Sequence, residues 1–174
     1  PEPAPVWWGA AWAGHCGWAL VPLRASSERE RLVDELAYQS VQDCSALPRG
    51  VSHADLFRDK GLWRKQGELS GVLDFYFAGE DVLLLDLAVV ANDWCSSDAT
   101  LAALLAGYQA RRPLGEAEIA AWPALRRAAA LRFWLLRLEV RHRPRDGEVV
   151  TIKDPAQFEA LLGRLRLAPA PLPR

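Results

Sequence analysis

The sequence predicts a mainly α-helical chain, α+β in class, with one small β-hairpin towards its front. Three observations predict it. Apolar residues recur at helical spacing in several separate segments. One short apolar run, Leu69 to Phe75, is bounded by glycine and reads as a strand. Hydrophobic residues make up 51% and charged residues 25% of the 174, a mixture that builds a packed core rather than a disordered chain.

Residues 1–24 form a Trp-rich segment. Residues 3–23 carry no Lys, Arg, Asp or Glu, and approach the length that spans a bilayer. Trp, Ala, Gly and Pro dominate the stretch, His15 sits in its middle, and no basic region precedes it. It is therefore expected neither to cross a membrane nor to act as a signal peptide. A helix is expected over 25–46. Ser27 and Glu30 have the capping-box spacing, and Leu32, Val33, Leu36, Ala37 and Val41 would form its apolar face. Pro48-Arg49-Gly50 breaks that pattern.

Residues 47–78 read as a loop followed by a hairpin. Leu62-Trp63 is one apolar piece, Gln66-Gly67-Glu68 the turn, and Leu69–Phe75 the second strand, with Asp74 at its end. Residues 79–167 read as helical from Asp81 onward. Leu83, Leu84, Leu87, Ala88 and Ala91 make one face, and Leu101, Leu104, Leu105 and Tyr108 a second. A third helix over 123–139 carries Leu125, Ala128, Leu131, Trp134, Leu135 and Leu138. Asp154 as N-cap and Pro155 at the first helical position open a fourth, with Phe158, Leu161, Leu162 and Leu165. The Pro-rich tail 168–174 is expected to fray.

The charge balance excludes some functions. Twenty-one Lys and Arg against 22 Asp and Glu leave a net charge of -1. That argues against a nucleic-acid binder held by phosphate neutralisation, and against a polybasic membrane-surface protein. Cys16, Cys44 and Cys95 form no CxxC pair, so neither a disulfide framework nor a zinc site is expected, and a cytoplasmic location is. The chain has no Met and begins at Pro1, from which a processed or partial polypeptide is expected.

Two acids stand out. Asp55 lies in His53-Ala54-Asp55, ahead of the hairpin, and Asp74 lies where its second strand ends. A hairpin of this kind can bring both carboxylates to one cleft. Phosphoryl transfer uses such a pair: one carboxylate accepts a hydroxyl proton, and the other holds the magnesium that bridges the phosphates. The plainer alternative is that Asp55 caps the following turn and Asp74 is a solvated strand end.

Further residues carry a resemblance. Leu47 to Asp59, Leu69 to Ala78, Leu85-Asp-Leu-Ala88 and Asn92-Asp-Trp-Cys95 resemble the bacterial homoserine kinases, the type related to aminoglycoside and choline kinases. The match continues through Tyr108, Arg111-Arg112-Pro113, Trp122-Pro123, Leu131 to Leu135, Arg137-Leu138 and Asp154-Pro155-Ala156. Trp7-Trp8 and Asp34 to Ala37 match more loosely. The resemblance implies the helical C-terminal lobe of a protein-kinase-like phosphotransferase, spanning 1–174. It also implies ATP-dependent phosphorylation of the L-homoserine hydroxyl in threonine biosynthesis, with ATP and Mg2+ required. By the same resemblance Asp55 is the catalytic base and Asp74 the metal-binding aspartate. His53 braces the loop, and Asp86 hydrogen-bonds it. Asn92, Asp93 and Trp94 line the amino-acid side of the cleft, or else serve as a helix cap and a core Trp.

Two departures stand beside the resemblance. The kinase catalytic loop reads D-x-x-x-x-N, and its Asn ligates magnesium. Five residues after Asp55 comes Lys60, which has donors and no acceptor. Poor Mg-ATP binding is expected from it, and Lys60→Asn is expected to restore magnesium use. Nor does anything here resemble the N-terminal nucleotide-binding lobe, with its Gly-rich loop and strand lysine, so the isolated chain is expected to lack kinase activity. Two competing readings remain: another small-molecule kinase of the aminoglycoside phosphotransferase superfamily, or a non-catalytic pseudoenzyme that binds a partner.

Overall fold

The computed structural model describes residues 26–142 and 153–168. The Trp-rich segment and the tail beyond Ala168 lie outside the described residues. The elements in chain order are α1 (Ser26–Ser40), β1 (Arg49–Ser52), a 3-10 turn (Arg58–Lys60), β2 (Gly61–Trp63), β3 (Leu69–Val72) and β4 (Gly79–Val82). Then come α2 (Leu83–Trp94), α3 (Asp98–Gln109), α4 (Glu116–His142) and α5 (Ala156–Leu167). The described chain is mainly α, as the sequence predicts. No helix among the described residues is long and apolar enough to cross a membrane.

The chain divides into two compact units. The first comprises residues 45–126. It holds two antiparallel two-stranded sheets, β1 with β4 and β2 with β3, followed by α2, α3 and the start of α4. The β2–β3 hairpin is the one read from the sequence. Gly67 sits at its tip with φ 80, a conformation that glycine adopts without penalty. Arg64 N–H donates to the Glu68 carbonyl at 2.9 Å and closes the turn.

The β1–β4 pair is absent from the sequence reading, which had helix from Asp81 onward. Gly79–Val82 is instead a strand in register with β1, with Arg49 opposite Val82 and Ser52 opposite Gly79. Four residues around Glu80 and Asp81 carry no alternating pattern, so the pairing partner alone makes them a strand. Leu83 N–H donates to the Pro48 carbonyl at 3.0 Å, and the strand runs directly into α2. Leu84, Leu85, Leu87, Ala88, Val89 and Ala91 of α2 are all buried, more than the one face predicted.

In α3, Ser97 and Thr100 form a reciprocal capping box that the sequence reading passed over. The third predicted helix begins seven residues earlier than expected, and Pro123 lies inside it rather than at its start. Its first turn is held from outside. The Glu118 carboxylate accepts Gly115 N–H at 3.1 Å and pairs with Arg112 at 2.8 Å.

The second unit comprises 26–44, 127–142 and 153–168. Here α1 departs from its apolar-face prediction. Val33 and Val41 are exposed, while Leu32, Glu35 and Gln39 are buried. Glu35 is fully buried and accepts from Arg127 Nε at 3.0 Å, Arg127 Nη2 at 2.6 Å and Gln39 Nε2 at 3.0 Å. Arg127 also lies over the Tyr38 ring, 3.4 Å from its centroid. The Arg127 guanidinium of α4 thus turns the helix about its axis. The helix begins at Ser26, so Ser27 lies within it rather than capping it, and it ends at Ser40. There Ser40 Oγ and Gln42 Nε2 donate to the carbonyls of Ala37 and Tyr38. In α5, Pro155 takes the N-cap place predicted for Asp154, and the Asp154 carboxylate accepts Ala156 N–H at 2.9 Å. Arg31 of α1 pairs with Glu159 of α5, and Phe133 packs on Phe158 with centroids 5.5 Å apart.

Removing the Glu35 carboxylate leaves Arg127 charged and only slightly exposed. Glu35→Ala should therefore destabilise the chain by about 3–5 kcal/mol, measured by urea denaturation. Val33→Ala on the same helix should change little.

Candidate active site

Local rules already place the loop after β1. The chain must reverse at Ala54, which takes the left-handed conformation with φ 61. That turn leaves the N–H groups of His53 and Ala54 pointing the same way. Asp86, in the first turn of α2, accepts both: His53 N–H on Oδ2 and Ala54 N–H on Oδ1, each at 2.9 Å. A carboxylate near a helix N-terminus also meets the positive end of the helix dipole.

His53 joins this loop to the hairpin. Its Nε2 lies 2.8 Å from the Leu73 carbonyl, which can only accept, so Nε2 carries the proton. The unprotonated Nδ1 then accepts Asp55 N–H at 3.3 Å. The ring packs against Phe75, centroids 4.7 Å apart. One neutral imidazole therefore fixes both the residue before Asp74 and the backbone of Asp55.

Asp55 is buried and Asp74 half-buried. Asp74 has φ 69, which Asp tolerates better than most residues, and the turn ends the strand at Val72, earlier than the predicted Phe75. Lys60 reaches both acids. Its ammonium pairs directly with the Asp74 carboxylate and lies 3.9 Å from Asp55 Oδ2. The hairpin dictates the meeting. Gly61 is opposite Val72, and Leu73 N–H donates to the Lys60 carbonyl at 2.9 Å, so position 60 is beside position 74. The hydrogen bond to Asp74 raises the Lys60 pKa above its ordinary value. Partial burial opposes the rise, and the charges of Asp55, Asp74 and Asp59 add to it.

The structure thus brings together five of the residues singled out from the sequence: His53, Asp55, Lys60, Asp74 and Asp86. Asn92, Asp93 and Trp94 lie in the last turn of α2, and each side chain has a partner within the protein. Asp93 Oδ2 accepts Arg58 N–H at 2.8 Å, and the Trp94 indole N–H donates to the Leu56 carbonyl at 2.9 Å. Trp94 also stacks obliquely on Trp63, centroids 5.6 Å apart. The Asn92 amide exchanges two hydrogen bonds with Arg126, to its carbonyl at 2.9 Å and from its Nε at 3.0 Å. Burial lowers the Arg126 pKa. Arg58, Trp63 and Arg126 were missed in the sequence. Each meets α2 across a long stretch of chain, where no local spacing signals a contact.

The donor set does not suit a divalent cation as the chain stands. Magnesium takes oxygen ligands in near-octahedral array. Here two carboxylates flank an ammonium, which ligates nothing. No cluster of three or more His, Cys, Asp or Glu side chains that would hold a metal ion occurs among the described residues.

Residues 2–127 match the phosphotransferase enzyme family (APH). The chain belongs to that family. Curated relatives of this family member include the homoserine kinase of Methylobacillus glycogenes, 48% identical over 143 residues, 78% of this chain and 45% of the relative. The homoserine kinase of Polaromonas naphthalenivorans (strain CJ2) is 43% identical over 171 residues, 92% of this chain and 54% of the relative. That of Janthinobacterium sp. (strain Marseille) is 40% identical over 176 residues, 95% of this chain and 54% of the relative. The chain spans about half the length of the curated relatives it matches.

The Asp86 clasp gives a direct test. Asp86→Ala leaves two loop N–H groups without their acceptor, at about 1–3 kcal/mol for each one that stays unpaired. Amide hydrogen exchange at His53 and Ala54 should accelerate. Asp86→Asn should not rescue it, because an amide turns a donor towards one of the two N–H groups.

Proposed function

We propose that this phosphotransferase chain provides the acceptor-activating acid for ATP-dependent phosphorylation of the L-homoserine hydroxyl. The product is O-phospho-L-homoserine, an intermediate of threonine biosynthesis. The observation that carries the reading is the buried Asp55 carboxylate, on a loop pinned by Asp86 and by His53 beside the Asp74 hairpin. The acceptor is inferred from the curated relatives, whose names all specify homoserine kinase. ATP is the donor substrate. The reading includes a nucleotide-covering lobe as partner, in keeping with relatives of about twice this length.

In the proposed reaction, Asp55 accepts the proton of the homoserine hydroxyl as its oxygen attacks the γ-phosphorus. The bond from that phosphorus to the bridging oxygen breaks, ADP leaves, and the proton on Asp55 passes to water. Asp55 aims the nucleophile more than it pulls on it, since phosphoryl transfer is governed by positioning and charge. His53 and Asp86 act as positioning residues, because they hold the backbone from which Asp55 projects. Asp93 and Trp94 extend the same bracing to residues 56–58.

Lys60 favours a second reading, a non-catalytic relative of the same family, because its ammonium stands between the two acids. One experiment separates the two. This chain, both unmodified and with Lys60→Asn, would replace the matched segment of the Methylobacillus glycogenes enzyme; turnover by the unmodified chimera excludes the second reading, and turnover only after Lys60→Asn favours it. Homoserine-dependent ADP release is expected, with none from choline or an aminoglycoside. Asp55→Asn should lower it by about 10²–10⁴-fold, the usual contribution of a general base. Indifference to Asp55→Asn, or preference for another acceptor, would overturn the proposal.

A further inference from the structure

Two carboxylates held near one point repel each other, and a shared proton or a cation between them relieves the repulsion. In this chain the cation is covalent. Lys60 pairs with Asp74 and stands 3.9 Å from Asp55 Oδ2, with its side chain only 21% exposed. Its placement is not the wandering of a surface lysine. The 3-10 turn Arg58–Lys60 is closed by Lys60 N–H donating to the Phe57 carbonyl at 3.0 Å. The Lys60 carbonyl accepts Leu73 N–H, and β2 begins at the next residue. The backbone at 60 is thus fixed on both sides, and its side chain is delivered to the acid at 74.

We propose that the Lys60 ammonium is the resident cation of this acid pair: it holds the Asp74 carboxylate that a divalent ion would need, and the chain takes up no Mg2+ there. The inference rests on reading Asp55 and Asp74 as the reacting pair, but it concerns their charge balance, not the acceptor. Three physical points carry it. An ammonium has three N–H donors and no lone pair, so position 60 offers a metal nothing. It occupies an oxygen of Asp74 that a metal would need. A divalent ion beside it would meet a fixed positive charge in a partly desolvated site. The donor phosphates would then be met by a lysine acting as a point charge.

The chain has only three lysines, Lys60, Lys65 and Lys153, so nitrogen-15 labelling of lysine gives a readable spectrum of the ammonium groups. In the unmodified chain, the Lys60 signal should be resolved, should shift in Asp74→Asn, and should not move on titration with millimolar Mg2+. Manganese supplies a second readout. The paramagnetic signal of free Mn2+ should be undiminished by the unmodified chain. Lys60→Asn should take up one equivalent, binding at least about tenfold tighter, and adding Asp74→Asn should abolish that gain. Saturable movement of the Lys60 signal by Mg2+ would overturn the proposal. So would one equivalent of Mn2+ bound by the unmodified chain and lost in Asp74→Asn. Should Lys60→Asn fail to fold, both measurements on the unmodified chain still decide the matter. None of them reads homoserine turnover, so a failed acceptor assignment leaves this result standing, and the converse holds too.

Discussion

The Asp86 carboxylate is the constraint on which the site depends. A loop that passes through a left-handed turn at Ala54 cannot continue the β1 ladder, and its amide groups need another acceptor. Asp86 accepts two of them at once, one on each oxygen. Because Asp86 belongs to the first turn of a buried helix, the loop inherits the rigidity of that helix. The last turn repeats the device through Asp93 and Trp94, which hold Arg58 and Leu56. One helix thus grips the loop at both ends, with Asp55 projecting between the grips.

The hairpin contributes the second acid and its counter-charge together. The register that sets Gly61 opposite Val72 also sets Lys60 beside Asp74, so neither residue can change its neighbour without a slip of the whole pairing. His53 ties this hairpin to the loop through its two ring nitrogens. The result is a small polar cluster with few free choices. Each acid is oriented by backbone, and the single ammonium between them balances charge that would otherwise oppose folding.

The second unit is organised by a different principle, a fully buried carboxylate that takes two hydrogen bonds from a single guanidinium. Glu35 and Arg127 satisfy one another within the packing of α1 and α4, with Gln39 accounting for a further hydrogen bond. Such a pair costs desolvation and returns it through geometry, so its main effect is to specify how α1 is turned. That is why the exposed side of α1 carries Val33 while Glu35 and Gln39 face inward.

Much of this was determined by the sequence alone. Helical periodicity located α2, α3, the body of α4 and α5. Gly67 and the flanking apolar residues located the hairpin, and the motif around His53 to Asp55 and Asp74 marked the acids. These signals are local, because caps, turns and periodic faces act over a few residues. What only the tertiary structure decided is what depends on a distant partner. β4 is a strand because β1 lies beside it, Glu35 is buried because Arg127 reaches it from 92 residues away, and Asp93 and Trp94 turn towards the loop because its backbone groups are there to be satisfied. The oddity at position 60 was legible in the sequence, but its meaning was not. Only the folded hairpin brings that ammonium onto Asp74, since a lysine's charge has no direction until the backbone around it is fixed.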